Sequence, residues 1–115
     1  MSLTQEEVTF QTITQAEKLM LWRRRLGLTQ DQAGRRFGVS GWVYGEMERG
    51  AQPAPVYAWR GPFLLKDHEK CVIYRLRAGV TQQAVAAELD CSRIWVNQME
   101  SGQANCDKLI EFWEV

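Results

Sequence analysis

Two stretches decide the fold: LTQDQAGRRFGVSGWVYGEMERG, residues Leu28 to Gly50, and VTQQAVAAELDCSRIWVNQMESG, residues Val80 to Gly102. They lie fifty-two positions apart, and the same register runs back without a gap, so that Glu17–Gly50 overlies Glu69–Gly102. Eleven of the thirty-four aligned positions are identical: Glu17/Glu69, Lys18/Lys70, Arg23/Arg75, Arg25/Arg77, Gly27/Gly79, Thr29/Thr81, Gln30/Gln82, Ser40/Ser92, Met47/Met99, Glu48/Glu100 and Gly50/Gly102. An internal repeat constrains architecture before any local reading does. Positions where the copies agree point to a shared fold, and positions where they differ point to separated roles.

Each stretch reads as a helix, a turn and a second helix. Thr29 is placed to cap a helix running through Phe37, because its hydroxyl can accept from an orphan N–H of the first turn. Gly38 ends that helix, since glycine reaches positive φ without steric cost. Ser40 caps a second helix running to Glu48, and Arg49-Gly50 closes it. The other copy repeats this with Thr81, Asp90, Ser92 and Ser101-Gly102. Asp90 replaces Gly38 at the turn and is one of the few residue types that tolerate the left-handed region.

On these residues the chain resembles the helix-turn-helix family of lambda-type repressor and Cro (XRE-type) proteins. The shared pattern is Thr-Gln, the turn, the capping Ser and the closing Glu-x-Gly. With the preceding helices the resemblance covers about 70 of the 115 residues. It implies an all-α fold of two tandem helix-turn-helix units packed together, with a short N-terminal arm. The expected boundaries are an arm at 1–13, a first unit at 14–62 and a second unit at 63–115. It also implies that an Arg on the helix before the motif pairs with the Glu near its end, here Arg23 with Glu48 and Arg75 with Glu100, as scaffold ion pairs.

The flanks read less regularly. Glu7 to Ile13 alternates and is rich in β-branched residues, which fits an extended arm or a short strand. Thr14-Gln15-Ala16-Glu17 reads as a capping box opening a helix through Leu26. Ala51 to Pro55 is a linker by composition. Val56 to Trp59 is expected to form one or two helical turns, stopped by Gly61-Pro62. Phe63 to Arg77 is expected to be one long helix. Asp107 to Trp113 closes the chain as a helix whose Leu109, Ile110 and Trp113 face the core.

Composition narrows the function. Two units of this size bury little surface alone, so each is expected to lean on the other. Five Trp and 45% hydrophobic residues supply the core. No apolar run approaches the ~20 residues of a membrane span, and there is no secretory signal pattern. Cys71, Cys91 and Cys106 match no zinc spacing, and with His68 as the single histidine no metal cluster is expected. Reduced thiols point to the cytoplasm. No nucleophile stands beside a base in any motif, so neither enzymatic activity nor a cofactor is expected. The charge balances at 14 basic against 14 acidic residues. That weighs against strong non-specific binding to DNA, which needs a basic face.

In the family, the second motif helix enters the major groove and its first turns read base edges. In the second copy the corresponding set is Ser92, Arg93, Ile94, Asn97 and Gln98. Arg donates twice to guanine, Asn or Gln pairs with adenine, and Ile94 can meet a thymine methyl. A polar solvated helix face would have the same composition. The resemblance makes Gln82 a phosphate anchor, with Gln30 as its first-copy relative and Ser40 as that of Ser92. The first copy departs at the reading positions, where it carries Gly41, Trp42, Gly45 and Glu46. Glycines beside Trp42 fit a protein-contact patch, or a tryptophan filling a gap between units.

Two functions follow as expectations. One is a small regulator of double-stranded DNA, whose second unit reads sequence while the first docks, forms a homodimer or binds a protein partner. A variant has both units bind DNA as a covalent pseudo-dimer. The other is a protein-interaction module, such as an anti-repressor, antitoxin or phage-type inhibitor, that binds a protein and not DNA.

Overall fold

The computed structural model describes residues 7–9, 11–54 and 64–114. Among these the chain is all helical, with α1 (Gln15–Arg25), α2 (Gln30–Arg36), α3 (Gly41–Glu48), α4 (Asp67–Ala78), α5 (Gln82–Glu88), α6 (Arg93–Glu100) and α7 (Asp107–Glu114). The chain divides into two units, Ile13–Phe63 and, taken together, Met1–Thr12 with Leu64–Val115. The expected turns at Val56–Trp59 and the stop at Gly61-Pro62 lie outside the described residues.

Local chemistry sets the boundaries of α1 to α3. Thr14 Oγ1 accepts from Glu17 N at 3.1 Å while Glu17 returns a carboxylate oxygen to Thr14 N at 2.8 Å, the capping box read from the sequence. Thr29 and Gln32 form a second box, at 3.1 and 2.9 Å. Ser40 Oγ accepts from Val43 N at 3.1 Å. The turn between α2 and α3 has Gly38 at φ +71°, and its counterpart Asp90 takes φ +53°. The first unit's core is Leu19, Ala33 and Tyr44, ringed by Trp22, Leu28, Phe37, Val39, Met47 and Ala54. Tyr44 is fully buried and its hydroxyl donates to the Leu19 carbonyl at 3.1 Å.

One close approach in this unit requires glycine. A Cβ on Gly34 would lie 2.8 Å from the Val39 carbonyl oxygen and 2.9 Å from that of Ser40, both backbone atoms. The second unit carries Ala86 at the aligned position, fully buried, so the two turns do not share one spacing.

In the second unit the long helix begins later than expected. Leu64 to Lys66 are not helical, and α4 opens at Asp67; Phe63 lies outside the described residues. The cause is local: the Glu69 carboxylate accepts from Lys66 N at 3.0 Å, holding Lys66 extended as a cap. The core combines Cys71, Val72, Ile73 and Tyr74 with Val85, Ala86, Val96, Met99, Leu109 and Trp113, all buried. Tyr74 and Trp113 stack with ring centroids 6.0 Å apart. Ile110 is only partly buried. Burial pushes the Cys71 and Cys106 thiols up, so both act as small apolar groups and not as thiolates.

The described residues between 7 and 13 form no strand. Thr12 Oγ1 accepts from Thr9 N at 2.9 Å, and Thr12 N donates to the Thr9 carbonyl at 3.0 Å, which closes a turn. Val8 is fully buried and its N–H donates to Tyr74 Oη at 3.0 Å. Arg77 Nη2 donates to the Thr12 carbonyl at 2.9 Å. Val8 and Thr12, which precede the first unit in sequence, are therefore tied to α4.

Candidate nucleic-acid interface

The same polar network stands behind the motif in each unit. In the second, Arg75 Nε donates to Glu100 Oε2 at 2.7 Å and its Nη1 to the Val80 carbonyl at 3.3 Å. In the first, Arg23 Nε donates to Glu48 Oε2 at 2.6 Å, Nη2 to Oε1 at 3.2 Å, and Nη1 to the Leu28 carbonyl at 3.1 Å. One guanidinium thus joins the first helix of each unit to its third helix and to the loop entering the motif. Glu100 is 1% exposed, so the bond to Arg75 compensates a charge withdrawn from water.

The glutamine that opens the motif completes the network. Gln30 Nε2 donates to Glu48 Oε1 at 3.1 Å, and Gln82 Nε2 donates to Glu100 Oε1 at 2.9 Å. Here the copies part. Gln82 Nε2 also reaches Asn97 Oδ1 at 3.2 Å. In the first unit the residue aligned with Asn97 is Gly45, and a Cβ there would meet Gln30 Oε1 at 3.2 Å. Both hydrogens of the Gln82 amide are thereby committed within the protein, a link that spacing alone did not reveal.

On α6, Arg93, Ile94 and Asn97 are exposed and Gln98 is half-buried. Arg93 and Asn97 are four residues apart and share a helix face, as do Ile94 and Gln98. Ser92 Oγ is engaged as the N-cap, accepting from Trp95 N at 3.0 Å, and Ser40 plays the same part on α3. Trp95 was not singled out from sequence; it is 43% exposed, beside Ile94 at 62%. Its counterpart Val43 gave no hint of an aromatic at this position.

The first unit presents a different surface. Trp42 is 70% exposed. Glu46 Oε2 accepts from Gln52 Nε2 at 3.0 Å. A Cβ on Gly41 would overlap the Asp31 carboxylate, which lies against the start of α3. Where the second unit projects Arg93, the first therefore places an acid. The signal for this was faint: Gly41 aligned with Arg93, and an acidic Asp31 aligned with Gln83.

A helix-turn-helix domain family matches residues 73–108, which take in the C-terminal half of α4, all of α5 and α6, and the start of α7. That stretch is similar to the family, and it contains Gln82, Arg93, Ile94, Asn97 and Gln98; Leu28–Gly50 lies outside it. No curated protein and no solved structure matches the chain significantly. No helix among the described residues is long and apolar enough to cross a membrane.

Proposed function

We propose that the protein is a small cytoplasmic DNA-binding regulator, built from two tandem units of the lambda repressor/Cro kind, in which α5 and α6 read sequence. The observation that carries this reading is the difference between the two motif helices. Arg93 and Asn97 stand exposed on one face of α6, with Asn97 held from behind by Gln82. These are donor-bearing side chains of the types that read base edges in the major groove. The first unit keeps the supporting network and lacks the readers. Its Asp31 carboxylate sits at the start of α3, where it would repel phosphates and base acceptors alike.

A salt-titrated mobility shift on selected and random duplexes tests the reading. Arg93→Ala and Asn97→Ala should each remove the preference for the selected duplex. Variants that bind it as wild type does would end the assignment.

Exposed Trp42 favours a second role for the first unit, as a contact for another protein or a second copy of the chain. Gly41, Gly45 and Glu46 flank it on α3. Large exposed aromatics of this kind anchor protein interfaces. A chain of zero net charge gains little from counterion release, which also supports the alternative that the protein acts on a protein and not on DNA.

A further inference from the structure

We infer that Gln82 fixes the hydrogen-bonding polarity of Asn97, so that the second unit selects guanine and discriminates against adenine at the base pair Asn97 meets. This inference rests on the DNA reading proposed above.

The argument is a chain of forced polarities. Glu100 receives the Arg75 guanidinium at 2.7 Å, and a carboxylate so paired is ionised and can only accept. Gln82 must therefore turn its NH2, not its oxygen, toward Glu100, as it does at 2.9 Å. The second hydrogen of that nitrogen reaches Asn97 at 3.2 Å. The group it meets must accept, so it is Oδ1. The oxygen and nitrogen of a carboxamide lie on opposite sides of Cγ. With Oδ1 drawn toward α5, Nδ2 is directed away from it, on an exposed side chain. Each link is set by the one before, starting from a buried ion pair.

The consequence is chemical. An unconstrained Asn offers a donor and an acceptor side by side, which matches adenine N7 and its N6 amino group. An Asn whose oxygen is drawn toward Gln82 turns its Nδ2 donor outward. Guanine shows two acceptors in the major groove, N7 and O6, while adenine shows one acceptor beside a donor. The first unit cannot work this way: Gln30 makes the same bond to Glu48, but Gly45 stands where Asn97 would.

The test uses the full-length chain and a random duplex pool. Selection with wild type and with Asn97→Ala identifies the base pair whose preference depends on Asn97. Guanine is expected there, and 7-deazaguanine at that position, lacking the N7 acceptor, should weaken binding about tenfold. Selection with Gln82→Ala should then admit adenine to within about threefold of guanine. Adenine preferred by wild type at that position would overturn the inference and leave the DNA reading standing. An identical base preference for wild type and a folded Gln82→Ala would do the same. Should Gln82→Ala prove unfolded by circular dichroism, the wild-type preference and the 7-deazaguanine substitution still decide the polarity. If no duplex is enriched at all, the inference and the DNA reading fall together.

Discussion

Arg75 Nε lies 2.7 Å from Glu100 Oε2, and Glu100 is 1% exposed. The pair ties α4 to α6 from beneath the exposed face of α6. Removing the acid strands a guanidinium whose side chain is only 12% exposed. Glu100→Ala should therefore destabilise the protein by roughly 3–5 kcal/mol. Glu111→Ala, at an exposed site on α7, should change stability by less than about 0.5 kcal/mol. Urea melts of the two variants compare them directly, and equal midpoints would show that the pair contributes nothing.

Base reading should depend on the outer face of α6. Arg93→Ala, Asn97→Ala and Gln98→Ala are expected to cost about 1–3 kcal/mol each on a selected duplex, with little change on a scrambled one. Competition titrations at fixed salt give the ratio. A uniform loss on both duplexes would mean that the side chains meet phosphate and not bases.

Trp42 is 70% exposed, so Trp42→Ala should leave the folding stability within about 0.5 kcal/mol of wild type. The expected change is in association. Light scattering across a concentration series should show a lower mass or a lost partner complex, and the quench or shift of tryptophan emission on association should shrink. If mass and partner binding are unchanged while duplex binding disappears, the first unit is the DNA contact, using Gln30, Arg35 and Arg36 around an aromatic wedge.

Gly34 and Ala86 occupy aligned positions, yet exchanging their side chains should not be symmetrical. Gly34→Ala forces a methyl to 2.8 Å from the Val39 carbonyl oxygen and should cost about 1–3 kcal/mol, as overpacking does. Ala86→Gly should cost about 1 kcal/mol, through helix propensity and a small loss of packing. Thermal melts of both variants decide it, and equal, small losses would show that the turn of the first unit yields to the methyl.

Tyr74 carries a pH signature. Burial pushes its phenol up to about 12 from a usual 10.0, reinforced by the nearby Glu114 carboxylate and opposed by the bond from Val8 N. A group whose folded pKa is raised contributes stability that is complete below its unfolded pKa and is lost as pH rises through the folded one. The stability gap between wild type and Tyr74→Phe should therefore be widest below pH 10 and close between pH 10 and about 12. Absorbance at the tyrosinate band, with and without Tyr74, checks the titration. A Tyr74 that ionises at the usual phenol value of 10.0 would refute the buried bond to the arm.

What the sequence determined by itself was local or repeated. Thr14 with Glu17, Thr29, Thr81, Ser40 and Ser92 were legible as caps because a cap is satisfied within three residues. Asp90 was legible as a left-handed turn because backbone sterics single out few side chains for it. The Arg–Glu partners were legible through the resemblance to the helix-turn-helix family, whose pattern both copies carry. What only the tertiary structure decided is where side chains from distant segments meet. Val8 and Tyr74 are 66 residues apart, and no periodicity relates them. The start of α4 at Asp67 turned on one carboxylate reaching back to one N–H. Asp31 against Gly41, and Gln82 against both Glu100 and Asn97, depend on how two helices cross within a unit. Spacing gives the face on which a residue lies. Only packing sets which of two amide atoms it turns outward.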